Sequence, residues 1–207
     1  MSCILMEREQ EESTMSKEKF SSTGRLTFMA IMLAMTIVFV MATVIPNFAV
    51  SMAVAMFLPT ILTGIVLGAK EGMVMGALAG ALTLFRALFL PLSPFDYFFI
   101  NPLVSVFPRI FIGVAATGAF YLFNVKLKVP EIISASISGA FAMFTNTVLV
   151  VTMLYVVHGQ NMIDAMGGMG LVTALGVLFA SNGLIEMISA ALIVPILYRV
   201  FIQYSRK

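Results

Sequence analysis

Residues 90–113 read LPLSPFDYFFINPLVSVFPRIFIG, a loop dense in proline and aromatics that runs into an apolar helix carrying one charge. Asn101 and Pro102 open that helix: an Asn side chain accepts from free first-turn amides, and Pro loses no hydrogen bond at the first helical position. Asn101, Ser105 and Arg109 recur every fourth residue, so the spacing predicts one polar face on an otherwise apolar helix. Such a face turns away from lipid. Pro108 has no N–H to return to the carbonyl of Val104, which therefore needs another donor. At about 1.5 Å per residue, Arg109 falls about 12 Å below the helix start. An ionisable residue at that depth is by default a functional-site hypothesis. Two readings stand: contact with a bound ligand, or an Arg held by a carboxylate or by carbonyls of neighbouring helices.

The surrounding chain fixes the class. Of 207 residues, 60% are hydrophobic and only 11% charged, a composition that excludes an ordinary soluble domain. A bilayer core of about 30 Å asks for apolar runs of about 20 residues, and this length holds about six of them. The expected fold is therefore all-α, an integral membrane bundle of six transmembrane helices. A single Cys and a single His exclude an intrachain disulfide and any multi-histidine or Cys-based metal site. No cofactor, metal or nucleic-acid partner is expected.

Residues 1–24 form the expected disordered cytoplasmic tail, charge-rich and without the apolar segment of a cleaved signal. Met1 and Met15 both stand open as natural starts. Residues 25–207 form the transmembrane domain. Its first apolar run, Leu26–Ile45, carries Ala30 and Ala34 four apart, a small-residue pattern that lets another helix approach closely. Pro46, Asn47 and Phe48 break that run, and a second, Ala53–Leu67, follows. The third has Gly72, Gly76 and Gly80 on one face, a tight-packing signature, and carries Arg86 near its end. Helix four runs to Phe123. Helix five, Glu131–Val157, holds Ser134, Ser138 and Asn146 at helical spacing, which predicts interhelical hydrogen bonds. Helix six, Leu171–Phe201, holds Asn182 and Glu186 four apart.

Lys and Arg outside the helices gather on one side, at the tail, at Lys70, at Lys126 and Lys128, and at the C-terminal end. The three remaining loops contain none. By the positive-inside rule the basic side, with both termini, is cytoplasmic. Arg86, Arg109, Asn182 and Glu186 then fall in the outer half or middle of the bundle, around a cavity that opens outward. Asp96 and Asp164 stand at its mouth as alternative partners for Arg86.

Taken together, the chain after about residue 24 resembles the substrate-binding S component of energy-coupling factor (ECF) vitamin transporters. Ala30-Ile31-Met32-Leu33-Ala34 is similar to the Ala-x-x-x-Ala pattern with which that family's first helix docks on a shared transmembrane T component. Asn101 to Arg109, together with Leu67 to Gly72, is similar to the branch that includes the pantothenate and riboflavin components. The resemblance implies a water-soluble vitamin as substrate, a T component and two ATPase subunits as partners, and the bacterial plasma membrane as location. It also implies an outward pocket built by the last three helices and capped by the first outer loop, where Asn47 and Phe48 lie.

Within that frame the candidate substrate-binding residues are Asn47, Phe48, Arg86, Asn101, Ser105, Arg109, Asn146, Asn182 and Glu186, and Ala30 and Ala34 are the candidate docking residues. Arg86 and Arg109 against Glu186 leave surplus positive charge, and outward helix amino ends add to it. That favours a carboxylate ligand such as pantothenate over neutral riboflavin. Glu186 is the expected restraint on Arg109 when the site is empty. The chain has no G-x-x-x-x-G-K-[ST] element, so ATP hydrolysis must come from partners. Without H-E-x-x-H or G-x-S-x-G, nothing specific supports an intramembrane enzyme. A stand-alone secondary transporter lacks the internal repeat such folds carry.

Overall fold

The computed structural model describes residues 21–44, 55–91, 94–165 and 183–205, with scattered positions between 167 and 180. Asn47, Phe48, Asn182 and residues 1–20 lie outside the described residues. The chain is an all-α membrane bundle: among the described residues five helices are long and apolar enough to cross a bilayer, and a sixth apolar helix, Leu58–Leu67, is shorter.

Helix α1, Ser22–Ala42, begins where the Ser21 hydroxyl accepts from the amide of Gly24 at 3.1 Å. Its start lies four residues ahead of the apolar run. Phe28, Met32, Thr36 and Val40, at strict i+4 spacing, form its buried stripe. Ala30 and Ala34 are exposed on another face.

Helix α2, Leu58–Leu67, is buried along nearly its whole length and packs against α1 and four other helices. Gly68, at φ 108°, makes the turn into α3, Ala69–Phe89. That φ is open to glycine at no steric cost. At this end Arg25 of α1 pairs with Glu71 of α3.

The expected glycine stripe of α3 does pack tightly. A Cβ on Gly72 would sit 2.9 Å from the Cα of Gly64 in α2, and one on Gly80 would sit 2.6 Å from the Cα of Val106. Lipid gives helices no hydrophobic drive to associate, so close backbone approach of this kind carries the packing.

A 3-10 turn, Pro94–Ile100, leads into α4, Pro102–Ser105, and α5, Phe107–Phe120. The single helix expected from residue 102 is thus interrupted at Val106, because Pro108 cannot complete the hydrogen-bond ladder through that point. A π-helical turn, Tyr121–Lys126, follows. Helix α6, Glu131–Ala165, bends at Gly159 (φ 42°), beyond the end expected at Val157. Helix α7 covers Leu184–Ser205.

Ser134 and Ser138 do not make the interhelical bonds expected of them. Ser134 donates to the carbonyl of Val129 and Ser138 to that of Ser134. Their neighbour Ser136 reaches across instead, donating to the carbonyl of Ala191 in α7 at 2.7 Å.

Candidate substrate-binding site

Arg109 sits on the first turn of α5 and is only 5% exposed. Its Nη1 donates to the carbonyl of Val104 at 2.6 Å, which is the acceptor that Pro108 leaves without a helical donor. The guanidinium carbon also lies 5.6 Å from the ring centre of Phe57 and 5.4 Å from that of Phe99. Both distances are within cation–π range. Behind the residue, the Arg109 carbonyl lies against Gly76, where a Cβ would collide with it. The glycine stripe, which reads in sequence as packing alone, therefore sets where Arg109 stands.

The loop before α4 closes over this residue at several points. Arg86 Nη2 and Asp96 Oδ1 form an ion pair at 2.6 Å. The Nε2 of His158, at the outer end of α6, donates to the carbonyl of Phe98 at 3.0 Å. Ser105 donates through its hydroxyl to the carbonyl of Phe99. Asn101 accepts from the amide of Leu103 at 2.9 Å, as a capping side chain does. These contacts hold the Phe99 ring over the guanidinium.

They also correct the sequence reading. Asn101, Ser105 and Arg109 do not share one continuous helical face, because the break at Val106 lies between them. The side chains of Asn101 and Ser105 are engaged with backbone groups of the turn. Arg86 is paired with Asp96, so it adds little to the positive surplus counted for the cavity. No ion pair joins Arg109 to Glu186 among the described residues, so the expected Glu186 restraint is not a direct contact.

Helix registers place the remaining groups. The Thr117 hydroxyl donates to the carbonyl of Gly64 at 2.7 Å, and a Cβ on Gly64 would meet the Gly113 carbonyl at 2.5 Å. Helices α2 and α5 run in the same direction, so one turn outward puts Thr60 level with Arg109. Val104 packs with Val151 and Leu154 of the antiparallel α6, so Asn146, one to two turns back along α6, falls near the depth of the first turn of α5 that carries Arg109. Gly139 meets the carbonyl of Ala190, its Cβ position being 2.9 Å away. That register sets Glu186 level with Met143, one turn inside Asn146.

Thr60, Arg109 and Asn146 thus occupy one layer. Each is buried, and Thr60 Oγ1, Arg109 Nε and Asn146 Oδ1 have no hydrogen-bond partner among the described residues. Buried polar atoms are ordinarily paired, and these three, at similar depth, are exceptions. Phe57, Phe99 and Thr60 were not singled out in the sequence. Phe57 and Thr60 sit in a run that reads as featureless apolar helix, and the aromatic cluster 95–99 was the only signal pointing to Phe99.

Compared with known proteins, residues 24–198 match the family model described as the ECF transporter, substrate-specific component. No curated protein matches the chain.

Proposed function

The chain belongs to the substrate-specific component family of ECF transporters, and from that premise we propose that it is the vitamin-binding subunit of an ATP-driven importer whose substrate is pantothenate. The membrane bundle and the family together make it a multi-pass substrate-binding component. The observation that carries the finer reading is Arg109. Its guanidinium is fixed by the Val104 carbonyl and two aromatic rings while Nε stays unpartnered. A cation so held has donor capacity left for an anionic oxygen, and charge-assisted bonds of that kind are the stronger sort.

Pantothenate supplies one carboxylate for Arg109, and its amide and hydroxyls suit Asn146. Asn182 and Glu186 complete the same region in this reading, with Asn47 and Phe48 as the lid. Ala30 and Ala34, exposed on α1, form the docking face for the T component. The energy comes from two partner ATPases in the bacterial plasma membrane. Riboflavin is the alternative substrate, and one observation favours it: pairing of Arg86 with Asp96 removes the second cation that a neutral ligand would have left unexplained.

Titration of the purified protein with each vitamin by calorimetry tests the assignment. Saturable one-to-one binding of pantothenate is expected, with no heat from riboflavin. Binding of riboflavin alone would transfer the assignment to it.

A further inference from the structure

We propose that Thr60 is a substrate contact and specificity-determining residue, forming with Arg109 Nε and Asn146 Oδ1 a three-point polar site. Such a site takes a small molecule that presents an acceptor oxygen and a hydrogen-bond donor within one layer of the bundle. The inference rests on reading the surroundings of Arg109 as the substrate site. Its warrant is the contrast between Thr60 and the other buried threonines among the described residues.

Thr27, Thr36, Thr63, Thr145, Thr147 and Thr152 each donate to the carbonyl four residues earlier, the usual way a helical hydroxyl is satisfied in an apolar setting. Thr60 is fully buried and does not. It lies in the first turn of α2, and residue 56, four positions back, precedes that helix. One helical step away on the same side, Phe57 lays its ring against the Arg109 guanidinium. Thr60 therefore stands one helical step from the ring that meets Arg109, on a neighbouring helix and at similar depth. A buried hydroxyl without a partner is unfavourable, and it persists where something else completes it.

The complementarity defines the ligand class. Arg109 Nε can only donate, Asn146 Oδ1 accepts, and a Thr hydroxyl does either. A molecule with a carboxylate or carbonyl oxygen close to an amide N–H or hydroxyl satisfies all three. A purely apolar ligand, or one bearing acceptors alone, leaves Asn146 Oδ1 unpaired. An ordered internal water could also bridge these atoms, and the two cases separate experimentally.

Wild type, Thr60→Val and Thr60→Ser are purified from the same cells, and the small molecules each carries are identified and quantified by mass spectrometry. Thr60→Val keeps the shape and removes the hydroxyl, so affinity for the carried molecule is expected to fall about tenfold, as for one buried hydrogen bond, with occupancy falling in step. Thr60→Ser should retain wild-type occupancy. The emptied Thr60→Val protein should melt no lower than emptied wild type, since an unpaired hydroxyl has been replaced by a methyl group.

Equal occupancy in all three proteins, at any level, overturns the Thr60 contact. So does a drop in the melting temperature or loss of the folded Thr60→Val protein, which would mark a water-held or structural hydroxyl. Identity is read separately from amount. A carried molecule without a carboxylate removes pantothenate from the proposed function and leaves the Thr60 contact standing.

Discussion

Nη1 of Arg109 donates to the carbonyl of Val104 at 2.6 Å, so the residue that repairs the helix is the immediate neighbour of the proline that interrupts it. Arg109 consequently has two duties on the proposed reading, bracing the backbone with Nη1 and offering the unpartnered Nε to the substrate. Replacement by Lys separates them. An ammonium can reach one acceptor but lacks the planar fork, so Arg109→Lys should weaken pantothenate binding by more than tenfold, the lower range for a charge-assisted bond of about 1.5–3 kcal/mol. Arg109→Ala also strands the Val104 carbonyl and should lower stability by about 1–3 kcal/mol. Calorimetry and thermal melting in detergent read the two effects independently.

The seat of Arg109 is made by Gly76, whose missing Cβ admits the Arg109 carbonyl. Gly76→Ala must push α3 and α5 apart, at a cost of about 1–3 kcal/mol typical of overpacking. Ligand affinity should fall along with the melting temperature, although no polar atom has been altered. A variant that melts lower and binds as well as wild type would show that ligand binding does not depend on this approach.

The outer turn is held by the Arg86–Asp96 pair, whose side chains are 16% and 12% exposed. Exposed pairs contribute about 0–1 kcal/mol, and this partly buried one should reach at least the upper end of that range. Arg86→Gln and Asp96→Asn should each weaken ligand binding through the Phe99 ring that the turn positions. The exchanged pair, Arg86→Asp with Asp96→Arg, should restore part of it in a double-mutant cycle. Zero coupling would mean that the turn holds without the pair.

Ala30 and Ala34 are exposed while Phe28 and Met32 of the same helix are buried. Trp at either alanine should therefore leave ligand affinity unchanged and abolish uptake by cells that supply the partner subunits, since bulk there blocks close helix approach. Uptake at the wild-type rate by both variants would remove the docking assignment.

Much of the fold was legible because lipid imposes it: apolar runs and glycine spacing required no tertiary knowledge. The Asn101 cap and the freed Val104 carbonyl were also readable, since both are local backbone chemistry. The donor to that carbonyl was not. Counting by fours from Asn101 to Arg109 assumed a continuous helix, and the break at Val106 turned a polar face into three separate contacts. The pairing of Arg86 with Asp96 was open between partners because loop geometry decides it. Thr60 stayed hidden because a threonine inside an apolar run ordinarily satisfies itself on its own helix.

In the proposed function, the braced guanidinium of Arg109 holds an anionic oxygen of the substrate. The most direct test of that contact is titration of the wild-type protein with pantothenate and with the alcohol analogue that replaces the carboxylate by a hydroxymethyl group. The analogue should bind at least tenfold more weakly, as expected when a charge-assisted bond of about 1.5–3 kcal/mol is lost. Equal affinity for the two would contradict the contact and leave Arg109 as a brace for its own helix.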